Sequence, residues 1–220
     1  SLLLVSCGTR SGYFKMEGRF LHMNQGELYV YSPDGGINGL DTIKIEAGRF
    51  SYEKPCSKPS TLIIIFPNYS SQPIFAESGE AVDVKADASH LKEMEVEGTK
   101  NNELMTKFRK QIASVSPPEE MKYAITFIND HPESPVSVYL LNRYFIQTES
   151  PDYSQAAKLL RVLMKEQPEN TDLGRLQRQL TELGSLPVGS KMSKFLAKDI
   201  NGKVMNNSTF QGDRKSTRLN

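Results

Sequence analysis

The chain has 220 residues, 27 Lys and Arg against 26 Asp and Glu, and 38% hydrophobic residues, which argues for a globular protein of one large or two small domains. With a formal charge of +1 and basic residues spread along the chain, no strong basic excess points to nucleic acid, and no such partner is expected. His22, His90 and His131 are far apart and lack metal-ligand spacing, so no metal is expected.

Ser1 to Gly8 reads SLLLVSCG. The apolar run ending in Leu4-Val5-Ser6-Cys7 resembles a bacterial lipobox, in which a small residue precedes a cysteine that is lipidated and becomes the mature N-terminus. That resemblance makes Cys7 a lipidation site and the membrane a partner through an N-terminal lipid anchor. With no initiator Met and no charged n-region, the start of the signal peptide is expected to be missing. Residues 1–12 then read as signal remnant and tether, since Gly8-Thr9-Arg10-Ser11-Gly12 is polar and flexible. No other stretch is long and apolar enough to cross a bilayer. Cys56, the second cysteine, sits among turn residues in Lys54-Pro55-Cys56-Ser57-Lys58-Pro59 and reads as a passive loop or edge-strand thiol.

From 13 to 100 the pattern is β. Side chains alternate in Phe14 to Phe20, Glu27 to Tyr31 and Thr42 to Glu46, and Ala47-Gly48 turns the chain into Arg49-Phe50-Ser51-Tyr52. Thr61 to Phe66 is a continuous apolar run, expected as a central strand covered on both sides. Pro73 to Ala76, Ala81 to Lys85 and Met94 to Glu97 complete about eight short strands without intervening helices, which predicts an antiparallel β-sandwich. Gly35-Gly36 and Gly39 read as a flexible hairpin loop, and Glu93, Glu95 and Glu97 as one solvated strand face. Glu17-Gly18, Leu28-Tyr29-Val30, Leu40 to Ile43, Gly48-Arg49-Phe50, Gly79 to Val82 and Val96 to Asn101 resemble the β-rich domain of unknown function that precedes a thioredoxin-like domain in many Gram-negative envelope lipoproteins.

From 101 to 185 the period is helical. Leu104, Met105, Phe108 and Ile112 form one stripe. Ser116-Pro117, Ser134-Pro135 and Ser150-Pro151 each suit a helix start, with serine as N-cap and proline in the first turn, and Glu119 completes a capping box with Ser116. A last helix from about Thr171 carries Leu173, Leu176, Leu180 and Leu183 and stops at Gly184. Tyr123, Phe127, Tyr139, Tyr144 and Phe145 read as core. No 34-residue self-similarity supports helical repeats, so a helical layer on the sandwich is expected.

Residues 186–212 change character again. Lys194 to Asp199 and Lys203 to Met205 flank Asn201-Gly202, a hairpin signal in which both turn positions take positive φ. Leu186, Val188, Gly189, Phe195, Asp199, Gly202, Lys203, Phe210 and Gly212 resemble the opening of the thioredoxin-like domains of periplasmic thiol:disulfide oxidoreductases of the TlpA/ResA and AhpC/TSA type, with Ser193 where that family carries proline. The resemblance implies a following central strand and Cys-x-x-Cys. Residues 213–220, DRKSTRLN, lack the apolar β-branched residues of such a strand and are expected to be a non-native tail, leaving the thioredoxin-like start truncated.

The fold expected is therefore α+β: an antiparallel β-sandwich, a helical layer, and the first β-hairpin of a truncated thioredoxin-like domain. There is no Cys-x-x-Cys, Gly-x-Ser-x-Gly or phosphate-binding loop, so no catalytic residue, cofactor site or metal site is assigned. The resemblances imply the anchoring and client-recognition half of an envelope thiol:disulfide oxidoreductase, lipid-anchored at the periplasmic face of a membrane and facing protein clients or redox partners. The alternative is a non-enzymatic envelope lipoprotein whose sandwich binds a peptide, glycan or partner protein.

Overall fold

The computed structural model describes residues 9–184, 195–206 and 209, and strands form where side chains alternate. They are β1 (Tyr13–Leu21), β2 (Gln25–Tyr31), β3 (Asp41–Glu46), β4 (Arg49–Pro55), β5 (Ser60–Ile65), β6 (Ser71–Ala76), β7 (Ala81–Asp87) and β8 (Glu95–Glu97). All eight join one sheet in the order β6-β5-β2-β3-β4-β1-β7-β8. Two features depart from an antiparallel sandwich of separate sheets. β1 runs parallel to β7, from Lys15↔Ala81 to Leu21↔Asp87. β3 and β4 carry the sheet through a single register pair, Glu46↔Arg49, at a two-residue turn where Ala47 (φ 51) and Gly48 (φ 73) are both left-handed, the twist that joins adjacent strands most directly. Alternation tells which side chains share a face but not which strand lies alongside, so a parallel neighbour leaves no mark in it.

The inward residues of the sheet make one core. Phe14, Met16 and Phe20 of β1 meet Leu28, Val30, Ile43, Ile45, Phe50, Leu62, Ile64, Val82 and Val84. Gly18 interrupts the β1 series because the Phe50 ring fills its place, and a Cβ there would collide with that ring. β5 lies between β6 and β2, with Leu62 and Ile64 in this core and Ile63 buried on the opposite face.

An eight-stranded sheet that does not close leaves the backbone of β6 and β8 in need of partners. Helix α1 (Lys100–Ile112) supplies them. The Asn102 amide donates to Phe75 O (2.8 Å) and accepts from Phe75 N–H (3.0 Å), as a neighbouring strand would. The Thr106 hydroxyl does the same for β8, accepting from Val96 N–H and donating to Val96 O, both at 2.9 Å. Arg109 donates to Gln72 Oε1 (2.8 Å), to Pro73 O (2.9 Å) and to Met94 O (3.3 Å), touching β6 and the approach to β8 at once. Positions i, i+4 and i+7 share a helix face, so one stripe serves both edges. Arg109 is 3% exposed. Burial pulls its guanidinium down to about 10, which leaves it a cation at neutral pH.

The helical layer follows: α2 (Pro117–Asp130), α3 (Pro135–Leu141) running into a π-helical turn (Asn142–Ile146), α4 (Tyr153–Glu166) and α5 (Thr171–Gly184). Its core gathers Met105, Phe108, Phe127, Ile128, Leu140, Phe145, Leu160 and Leu163, and Phe75 joins it from the outward face of β6. Two Ser-Pro starts form as expected. The Glu119 carboxylate accepts from Ser116 N–H (3.1 Å) and Oγ–H (2.8 Å), and Ser134 Oγ accepts from Val136 N–H. The third is displaced: Asp152 caps α4, accepting from Gln155 N–H (2.9 Å), because an aspartate two residues after Ser150 caps as well as serine does. Tyr123 is 41% exposed rather than core.

The described residues up to Leu180 form one compact unit, and those from Thr181 on belong to a second. In the second, β9 (Leu196–Lys198) and β10 (Val204–Asn206) pair as an antiparallel hairpin. Its turn differs from the expected one. Gly202 (φ 79) alone is left-handed, Gly202 N–H bonds Asp199 O, and the Asp199 carboxylate accepts from Asn201 and Lys203 N–H at 2.9 Å each. The aspartate favours a type I turn closed by a glycine bulge over the two-residue Asn-Gly turn. Residues 186–194, 210–212 and 213–220 of the expected leader and tail lie outside the described residues.

Asn102→Leu or Thr106→Val strands backbone groups of β6 or β8 and is expected to cost about 1–3 kcal/mol in urea unfolding. Lys107→Ala, exposed on the same helix, should stay within about 0.5 kcal/mol.

Candidate functional site

The outward face of the sheet carries an open groove of about 1060 Å³ across β4, β1 and β7. Register builds its surface from two charged rows. Ser51, Glu17 and Asp83 are cross-strand partners, and so are Arg49, Arg19 and Lys85. β3 contributes Lys44 and Glu46, and the segment around β8 contributes His90, Glu93 and Glu95. In total, six carboxylates and four Lys or Arg line it.

The carboxylate row is partly satisfied internally. Glu17 pairs with Lys15 at 2.7 Å and accepts from Ser51 Oγ at 3.4 Å, and these contacts, Lys15 first, hold its carboxyl below the usual range. In the cation row Lys85 reaches Glu97 at 3.2 Å. The side chains of Arg19 and Arg49 have no hydrogen bond or ion pair among the described residues, although they face each other directly across the ladder, a destabilising like-charge rung, with Glu46 opposite Arg49 on its other side.

At one end of the groove the fold unites two residues that the sequence kept apart. His22 Nδ1 lies 2.8 Å from Asp87 Oδ1, and His90 Nδ1 lies 3.9 Å from Asp87 Oδ2. His22 is left-handed (φ 60). The contact with His22, then the Ser89 N–H, pulls the Asp87 carboxyl below its ordinary value. Only the parallel pairing of β1 with β7 brings position 22 beside 87, so residue spacing could not reveal the cluster. Among the described residues no group of three His, Cys, Asp or Glu could hold a metal.

The other singled-out residues take structural places. Cys7 lies outside the described residues. Cys56 is 3% exposed, donates to Lys58 O at 3.3 Å, and burial pushes its thiol up despite Lys54 nearby. The glycine loop is tied to its neighbours by hydrogen bonds. Asp34 accepts from Ser32 Oγ–H and from Thr61 N–H, Lys54 Nζ donates to Gly36 O, and Gly36 lies so close to Ser60 that a Cβ would collide. Of the acidic alternation, Glu93 falls in a 3-10 turn (Leu91–Glu93) before the strand begins, while Glu95 pairs with Lys110 at 2.8 Å and Glu97 with Lys85. Asp41 bonds its own neighbour Thr42 and also accepts from Tyr52 Oη–H at 2.8 Å. Burial first, and then that contact, raise the Tyr52 hydroxyl. No described helix is long and apolar enough to cross a membrane.

Residues 14–105 match a family described as a domain of unknown function, DUF4369. The match spans the whole sheet and the first turns of α1, including Asn102 but not Arg109. No curated protein and no solved structure matches the chain.

Two outcomes follow from these environments. An aspartate held low in the folded state contributes stability that is present above its unfolded pKa of about 3.9 and is lost as pH falls through the lower folded value. An NMR titration should therefore show the Asp87 carboxyl titrating below that value in the native protein and closer to it in His22→Ala. Buried, and with its thiol raised, Cys56 should react with iodoacetamide far more slowly in the folded protein than in urea. Equal rates would show an open thiol.

Proposed function

We infer that the chain is the membrane-anchoring and client-recognition half of a cell-envelope thiol:disulfide oxidoreductase, held at the periplasmic face by lipid on Cys7. The observation that carries this reading is the Asp199-x-x-Gly202-Lys203 tip of the C-terminal hairpin. There the aspartate organises the turn and the glycine supplies the left-handed residue, which gives a physical reason for the spacing seen at the start of the thioredoxin-like family. The match of residues 14–105 to a domain of unknown function agrees with the β-rich domain that the resemblance places ahead of such a redox domain. In this reading the sheet and helices present clients, and the chemistry is thiolate attack by a Cys-x-x-Cys that follows Gly212. Within the chain itself Cys56 is buried and has no cysteine partner among the described residues, so it supports no exchange reaction.

The charged groove favours a second reading, a non-enzymatic envelope lipoprotein whose β-rich domain binds a peptide, glycan or partner protein. The two separate at the gene. The first expects a reading frame that continues past Gly212 through an apolar strand into Cys-x-x-Cys, and a stop codon there leaves only the second. Both expect tritiated palmitate to label the protein expressed in a Gram-negative host and the label to vanish in Cys7→Ser. An unlabelled wild-type protein would remove the anchor from either reading.

A further inference from the structure

We propose that Arg19 and Arg49, with Lys85 beside them, bind the phosphate of a ligand that also carries an ammonium group. The site is independent of the redox reading, since it rests only on the outward face of the sheet. Three cations stand in register on β4, β1 and β7, and neighbouring strands are about 4.8 Å apart. The two guanidinium groups are thus spaced to share one tetrahedral oxyanion, which arginine meets with paired, planar N–H donors. Neither guanidinium has a partner among the described residues. Glu46 and Glu95 stand opposite Arg49 and Lys85 at the ends of the row, but the two inner rungs are like-charged, and an oxyanion replaces repulsion across them with attraction to a common centre.

The rest of the groove selects the ligand. Glu17 and Asp83 form the next row on the same face, about 7 Å along the strands. Six carboxylates against four Lys or Arg give the groove a net negative lining. A bare polyanion is repelled by such a lining beyond the cation row. A phosphate joined to an ammonium a few ångströms away is not, since its cation falls towards Glu17 and Asp83. Phosphoethanolamine has this chemistry, either as a free compound or as a lipid headgroup.

The test compares wild type with Arg19→Gln/Arg49→Gln and Arg19→Lys/Arg49→Lys, using O-phosphoethanolamine in NMR titration and phosphatidylethanolamine vesicles in flotation. Wild type should show saturable shifts at groove residues or should float. The Gln variant should bind about tenfold or more weakly, with partial recovery in the Lys variant and weakening by salt. Without ligand the Gln variant should melt close to wild type, since the like-charge pair it loses is offset by the lost attraction of Arg49 to Glu46, whereas ligand should raise the midpoint of wild type alone. Loss in the soluble arm identifies a free ligand, and loss only in the vesicle arm a headgroup. The proposal fails if wild type binds neither probe, or if the Gln variant binds as tightly as wild type.

Discussion

The structure depends on how a sheet that does not close satisfies its two outer strands. Backbone N–H and C=O groups buried without partners cost about 1–3 kcal/mol each, and β6 and β8 would both present them to the helical layer. α1 resolves this with side chains in place of strands. Asn102 reproduces the paired donor and acceptor of a peptide group for Phe75, and Thr106 does so for Val96. Between them Arg109 holds Pro73 and Met94 carbonyls from the two sides. The helical layer is therefore not an appendage to the sheet. Its first helix completes the hydrogen bonding of the sheet, and Phe75, bonded to Asn102 through its backbone, packs its ring in the helical core.

Local features were legible in the sequence wherever one residue's neighbours along the chain decide the outcome. The eight strands and the helix beginnings at Pro117 and Pro135 follow from alternation, capping and turn chemistry. What was not legible depends on pairing between distant segments. Phe14 to Phe20 alternates in the same way whether β1 is flanked by antiparallel or parallel strands, so its place between β4 and β7 was hidden. With it were hidden the cation row and the convergence of His22 and His90 on Asp87. The polar stripe of α1 was overlooked for a different reason. A search for apolar periodicity passes over Asn102, Thr106 and Arg109, and only the geometry of the sheet edges reveals why buried positions are polar.

β1 is the strand where core and groove meet. Its inward residues Phe14, Met16 and Phe20 anchor the sheet core, while Glu17 and Arg19 alternate outward into the groove. The two roles are tied by the pleat, because a one-residue slip would exchange them and expose the phenylalanines. Gly18 adds a second constraint on the same strand, since Phe50 from β4 occupies the space a side chain would need. The register that buries Phe50 is the register that sets Arg19 opposite Arg49. The backbone positions of the outer charges are consequently set by the same register as the core.

The same residue type serves opposite purposes at Arg109 and at Arg19. Arg109 has left water, and a cation in that position is tolerable only because three neutral oxygens take its N–H groups in fixed directions. Those bonds commit it to the architecture, and nothing remains for a ligand to gain from it. Arg19 and Arg49 are exposed, remain hydrated and have spent none of their donors on the protein. Placing two such groups opposite each other contributes nothing to the fold and costs a little. Opposite charges close the row at its ends, Glu46 opposite Arg49 and Glu95 opposite Lys85, while the rung between Arg19 and Arg49 stays cationic. Unspent donors held in register on a sheet are the groups that the proposed binding of an oxyanion would draw on.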